Sequence, residues 1–158
     1  MTDRMRLRAK EIALRYLDHR PRSKNEVIDR LIKEDIASDV INEQVSDLEG
    51  LGLINDDAYA YMWIRSFVEH RPHGAFAVRH QLKKRGLGDE VIERQMNLHY
   101  PDQLEVGRVL AQRQSKKIKT TKFSEFRQKL GNVLQRRGFA YDVIETLVDE
   151  MWHQEVAE

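Results

Sequence analysis

The sequence predicts an all-α chain of three tandem three-helix repeats, stacked as an elongated, curved helical solenoid. Three observations predict it. Apolar residues recur at helical spacing with little strand-like alternation, the pattern repeats every 51 or so residues, and the sign of the charge changes in long blocks with that same period. A shift of 51 places His19-Arg20-Pro21 on His70-Arg71-Pro72, Leu31 on Leu82, Ile36 on Leu87 and Val40-Ile41 on Val91-Ile92. A further shift of 52 carries Leu82 to Leu134, Gly86 to Gly138, Leu87 to Phe139 and Val91-Ile92 to Val143-Ile144. Repeats of this size are supersecondary units that bury their apolar faces by stacking on their neighbours. The expected repeats are 1–54, 55–100 and 101–158.

Within the first repeat, helices are expected over 4–19, 24–34 and 39–50. Val27, Ile28, Leu31 and Ile32 share one face of the second, as do Val40, Ile41, Val45 and Leu48 of the third. Ser23-Lys24-Asn25-Glu26 has capping-box spacing, so the second helix starts there. Asp35 occupies the place where that helix should end in a left-handed residue. In the second repeat the expected helices are 56–70, 74–85 and 89–99. Asn55-Asp56-Asp57 puts acids at the positive end of the first of these, where Asp56 and Asp57 are read as caps, and Gly86 ends the second. Tyr59, Tyr61, Trp63 and Phe67 cluster on the first helix, and the spacing of Tyr59, Trp63 and Phe67 reads as core rather than as a stacking platform for bases. In the third repeat the expected helices are 102–117, 123–137 and 141–155, with Pro101-Asp102 at the first start and Gly138 after the second. Ser38, Gly88 and Tyr141 or Asp142 lie near the starts of the third helices.

The 158 residues carry 27 Lys+Arg and 26 Asp+Glu, a net charge of +1 that conceals a strongly uneven arrangement. Residues 4–33 hold ten bases and four acids, 65–85 six and one, and 108–137 ten and one; the intervening blocks 34–64, 86–107 and 138–158 are acidic. Each basic block covers the first two helices of a repeat and each acidic block centres on the third, so stacking should gather like charges into stripes. Candidate contacts for a polyanion or an acidic protein surface are Arg79, Lys83, Lys84 and Arg85, then Lys116, Lys117, Lys119, Lys122, Arg127, Lys129, Arg136 and Arg137. Glu43, Asp47, Glu90, Glu93, Asp149 and Glu150 form the candidate acidic partner surface.

Catalytic signatures are missing. There is no phosphate-binding Gly-x-x-x-x-Gly-Lys loop, nucleophile elbow or His-Glu-x-x-His helix, so no enzyme, cofactor or metal is expected. His70, His73 and His80 lack a carboxylate to complete a metal set, and His19 and His70 read as helix-end residues. The chain has no cysteine and no apolar run long enough for a leader or a membrane span, which fits a cytoplasmic protein.

The run from Leu51 to Ala60, Leu-Gly-Leu-Ile-Asn-Asp-Asp-Ala-Tyr-Ala, followed by Trp63, Arg79, Leu82 and Lys84-Arg85-Gly86-Leu87, resembles the RecX family of recombinase regulators. Arg22-Ser23-x-x-Glu26-Val27 and Leu31 are similar to that family's first repeat, and the resemblance spans essentially the whole chain. It implies a non-enzymatic modulator of the RecA recombinase. Such proteins bind the RecA filament on single-stranded DNA, lodge in its groove, and limit its growth, ATP hydrolysis, strand exchange and coprotease action in recombination, repair and the SOS response. The partner implied is the RecA filament, with direct single- or double-stranded DNA contact left open, no membrane, and a monomer expected. Two other readings stand beside it: a nucleic-acid-binding helical-repeat protein acting alone, and a helical protein-protein scaffold.

Overall fold

The computed structural model describes residues 2–157, and among these there are nine helices and no strand. They are α1 (Thr2–His19), α2 (Lys24–Lys33), α3 (Ser38–Gly50), α4 (Asp56–Glu69), α5 (Ala75–Lys84), α6 (Asp89–His99), α7 (Gln103–Ser115), α8 (Phe123–Arg136) and α9 (Tyr141–Ala157). The repeat register holds in the core: Leu31, Leu82 and Leu134 are fully buried, as are Val27, Val78 and Leu130 one helical turn earlier. A fully buried alanine, Ala9, Ala60 or Ala111, recurs on the first helix of each repeat, where a small side chain lets a neighbouring helix approach.

Local chemistry accounts for the helix ends. Ser23 caps α2 by accepting from the Glu26 N–H at 3.1 Å, and Glu26 reaches back to the Ser23 N–H. Asp35, Gly86 and Gly138 all stand at positive φ, 61°, 85° and 82°, which ends the second helix of every repeat in the left-handed conformation. The acids at the start of α4 behave differently from simple caps. Asn55 caps α4, its Oδ1 accepting from the Ala58 N–H at 3.1 Å. Asp56 instead accepts from the Lys24 N–H at 2.8 Å and so caps α2 from another repeat, while Asp57 pairs with Arg94. The difference arises because sequence spacing locates a cap along the chain but does not reveal helix starts brought alongside by folding. Burial pushes the Asp56 carboxyl above its ordinary value, with the Lys24 amide opposing.

The chain divides into two compact units. The first comprises 1–62 and 82–94, the second 63–81 and 95–158, so α4, α5 and α6 each contribute to both. In the first unit α1, α2 and α3 close on Ala9, Ala13, Val27, Leu31, Val40, Ile41, Val45 and Leu48. There the second repeat meets the first around the start of α2: besides the Asp56 cap on the Lys24 N–H and the Tyr59 hydroxyl on Glu26, the buried Ser23 hydroxyl donates to the Arg85 carbonyl at 3.0 Å, and Asn25 Nδ2 donates to the Gly86 carbonyl at 2.6 Å. The N-terminus of α2 thus meets the C-terminus of α5.

In the second unit α7, α8 and α9 close on Val106, Leu110, Phe126, Leu130, Leu134, Leu147 and Met151. The same junction recurs one repeat later. The Gly74 N–H, at the start of α5, donates to the Arg137 carbonyl at 2.7 Å, at the end of α8. Gly74 lies 51 residues after Ser23 and Arg137 lies 52 after Arg85, so these are equivalent positions. Here the backbones approach more closely: a Cβ on Gly74 would sit 2.2 Å from the Gly138 carbonyl oxygen, and one on Gly138 would sit 2.4 Å from the Ala77 Cβ. Of the α4 aromatics in this unit, Phe67 is buried and stacks on Trp63 at 5.7 Å between centroids, as core residues do. In the first unit Tyr59 is also buried, whereas Tyr61 is exposed. His73 stands edge-on to Phe67 at 4.9 Å, and its carbonyl accepts from the Tyr100 hydroxyl at 2.7 Å.

Two expectations test the second junction. Gly74→Ala should lower stability by about 2–3 kcal/mol in urea unfolding, because neither backbone segment can yield to the added methyl group. Burial, with Arg137 and Arg71 nearby, holds the His73 imidazole below its ordinary value of 6.5 despite its contact with the Arg71 carbonyl. The unfolded chain therefore binds the proton more readily, and this contribution to stability is lost as pH falls below about 6.5. His73→Gln should flatten the slope of Tm against pH in that range.

Candidate interaction surface

The predicted basic residues fall into groups that differ in what they already touch. Lys116, Lys117, Lys119 and Lys122 lie in the connection between α7 and α8. All four are exposed, and among the described residues none of their side chains makes an ion pair. Arg136 and Lys84, also exposed, are in the same condition. This is what an unneutralised cation cluster needs in order to attract an anionic partner.

The remaining basic residues are partly committed within the fold. Arg127 donates to Glu145 at 2.8 Å and to the Tyr141 hydroxyl at 3.3 Å, and the Glu145 contact raises its pKa further above the guanidinium norm. Lys129 pairs with Glu125 at 3.0 Å, and that bond depresses the Glu125 carboxyl. Lys83 stands 3.7 Å from Asp89. Arg137 is half-buried at the second junction, donating to the Pro72 carbonyl at 3.2 Å. Arg85 is half-buried too, its carbonyl taken by Ser23, and Arg79 is exposed on α5.

The predicted acidic residues divide likewise. Asp47, Glu90, Glu93 and Asp149 are exposed. Glu43 accepts from Arg6 at 2.9 Å, and Glu150 accepts a two-pronged contact from Arg108 at 3.0 and 3.1 Å. These pairs expose a second use of the charge blocks. Residues 6, 57 and 108 are spaced by 51, and each joins the first helix of its repeat to the third: Arg6 to Glu43, Asp57 to Arg94, and Arg108 to Glu150. In the second repeat the signs are exchanged and the pair survives. Lys24 adds a contact to Glu49 at 3.2 Å. Part of the alternation therefore neutralises itself within each repeat, and the α7–α8 connection is the densest run of the cations left over among the described residues.

Three known domains match this chain in succession. They are described as RecX first, second and third three-helix domains, over residues 9–48, 55–95 and 101–148. The chain belongs to the RecX family. Regulatory protein RecX of Bacillus pumilus (strain SAFR-032) is 30% identical over 142 residues, 89% of this chain and 54% of that protein. Regulatory protein RecX of Geobacillus sp. (strain WCH70) is 26% identical over 148 residues, 90% of this chain and 55% of its own length. The chain thus spans about half the length of these curated relatives. The crystal structure of RecX from Lactobacillus salivarius superposes with a TM-score of 0.86 at 31% identity, covering 96% of this chain and 98% of that one. A crystal structure of regulatory protein RecX at 24% identity shares the fold, with a TM-score of 0.81 over 94% of this chain and 75% of that one.

Membership of RecX identifies a regulatory family and leaves the contact residues to be assigned from this chain itself. No helix among the described residues is long and apolar enough to cross a membrane. The inter-helix ion pairs of this RecX chain were missed by reading the charge blocks as surface alone. The 51-residue spacing of Arg6, Asp57 and Arg108 carried the signal, but the sign exchange disguised it.

Neighbouring arginines at the end of α8 should separate by this logic. Arg137→Ala is expected to cost about 1–2 kcal/mol in thermal or urea unfolding, because the Pro72 carbonyl loses its donor. Arg136→Ala should stay within about 0.5 kcal/mol, as for an exposed residue making no such contact.

Proposed function

We propose that this protein is a non-enzymatic regulator that binds the RecA filament on single-stranded DNA and restrains its growth, and with it ATP hydrolysis, strand exchange and coprotease activity. It would so modulate recombination, DNA repair and the SOS response in the cytoplasm, as a monomer whose repeats are bounded at 1–54, 55–100 and 101–158. The observation that carries this reading is the match to all three RecX domains in order along one chain. Its support from geometry is the exposed lysine run between α7 and α8, the largest concentration of basic charge left without internal ion pairs among the described residues. Several weak contacts to successive protomers of a polymer add up to a high effective affinity, so no single deep pocket is required. Exposed cations of this kind act mainly on the rate of encounter and on salt dependence.

The test is the ATPase of a cognate RecA on single-stranded DNA, with this protein added well below one copy per recombinase. Inhibition is expected, and its absence would sink the proposal. Replacing Lys116, Lys117, Lys119 and Lys122 together by glutamate should raise the concentration needed for half-inhibition by about tenfold or more, and the loss should grow as salt is lowered. Lys129→Glu should do less, since Lys129 is already paired with Glu125.

A further inference from the structure

One face of α8 is left unused by both the core and the ion pairs. Gln128, Gly131, Asn132 and Gln135 follow one another at helical spacing and line a groove of about 440 Å3 in the second unit. Phe139 and Ile144 supply its apolar part. Among the described residues, the three carboxamide side chains form no hydrogen bond within the protein. Their donors and acceptors are therefore available to a ligand, and each carboxamide offers both.

Gly131 is the second observation. Glycine in the interior of a helix costs about 1 kcal/mol relative to alanine, so it calls for a reason. Internal packing does not provide one: a Cβ there would meet only Ile144 Cγ2, at an ordinary 3.7 Å. A glycine that its own protein does not require, at the middle of a groove, allows close approach by something else.

The rim identifies the chemistry. Tyr141 is 72% exposed, with its hydroxyl 3.3 Å from Arg127. Arg127 is neutralised in turn by Glu145, which also lines the groove. The site is thus close to neutral, and a carboxylate within it disfavours phosphate or acidic side chains. Across Gln135 and Phe139 the groove adjoins a second one of about 560 Å3, rimmed by Arg79 and by Phe76, which is 75% exposed. Unburied aromatic rings, unspent carboxamides and a neutral floor, close in sequence to a lysine run, fit a planar polar group on an anionic backbone.

We propose that the α8 groove takes an unstacked nucleobase of single-stranded nucleic acid. Tyr141 stacks on the base, and Gln128, Asn132 and Gln135 address its edge over the space that Gly131 leaves open. The strand's phosphates are left to the lysines of the α7–α8 connection. The inference rests on the nucleoprotein reading above and adds to it a direct contact with bases, independent of the recombinase.

The experiment uses the full chain without recombinase and measures fluorescence anisotropy with labelled 20-nucleotide single strands: oligo-dA, oligo-dT and an abasic strand of equal length and charge. Base-bearing strands should bind about tenfold more tightly than the abasic one, the scale of a stacked base. Tyr141→Ala should bring the ratio of affinities for base-bearing and abasic strands close to one. Gly131→Gln should do the same by filling the groove, with a thermal midpoint no lower than that of the parent protein, which separates occlusion from misfolding. Equal affinity for base-bearing and abasic strands would overturn the proposal, as would a base preference that survives both substitutions. Poly-glutamate competition that Gly131→Gln abolishes would assign the groove to an acidic protein segment and overturn the proposal. RecA ATPase inhibition, measured in parallel, distinguishes the two readings. Inhibition without base preference removes the groove alone, and base preference without inhibition removes the regulator.

Discussion

The contact on which the architecture depends is the meeting of one helix start with another helix's end. In the first unit the cap of α2 meets the last carbonyls of α5, and in the second the start of α5 meets the end of α8. Helix starts have unmet N–H groups and helix ends unmet carbonyls, with opposite partial charges. At the second junction a backbone N–H meets a carbonyl directly, whereas at the first the carbonyls are met by the Ser23 hydroxyl and the Asn25 carboxamide while Asp56 takes the Lys24 N–H. This also explains how the middle repeat comes to be shared. The C-terminal end of α5 is tied to the first unit through Ser23, and its N-terminal end to the second through Gly74. The two versions differ in chemistry but agree in position: a hydroxyl donates in one, and a backbone N–H in the other.

The charge pattern answers to two demands at once. Within a repeat, cations of the first two helices meet acids of the third, and exposed pairs of this sort contribute at most about 1 kcal/mol each. Their more useful effect is to fix which helix faces which, since like charges at residues 6 and 43 or 57 and 94 would repel. The sign exchange at Asp57 and Arg94 keeps that function while altering the local surface potential. What survives as net field is the part that finds no acid nearby, and in the third repeat that part is mainly the connection, with Arg136 at the end of α8 added to it.

Much of the fold was legible in the sequence because its signals are local. Helix limits followed from Ser23 and Glu26, from Asp102 and from the left-handed Asp35, Gly86 and Gly138, and each marks an end through its own backbone or nearest neighbours. The core followed from translating one repeat onto the next. What escaped was every feature whose partner lies in another repeat or on another helix: the capping of α2 by Asp56, the pairing of Asp57, and the need for glycine at position 74. The candidate surface was legible only as composition. Spacing cannot tell Arg136 from Arg137, whereas one faces solvent and the other supports Pro72. Uncharged residues such as Gln128 and Asn132 carried no signal at all in a reading organised by charge.

Asp35 bears a consequence for how such an array could be lengthened. It shares its backbone conformation with Gly86 and Gly138, yet it is exposed, while those two have Asn25 and Ala77 close against the place a Cβ would occupy. Conformation alone therefore tolerates aspartate, and it is stacking that demands glycine. In engineering terms, this residue is a polarity mark on a modular part: glycine here accepts another module, and any larger residue declines it. Grafting a further repeat ahead of the first would have to begin by removing the Asp35 side chain.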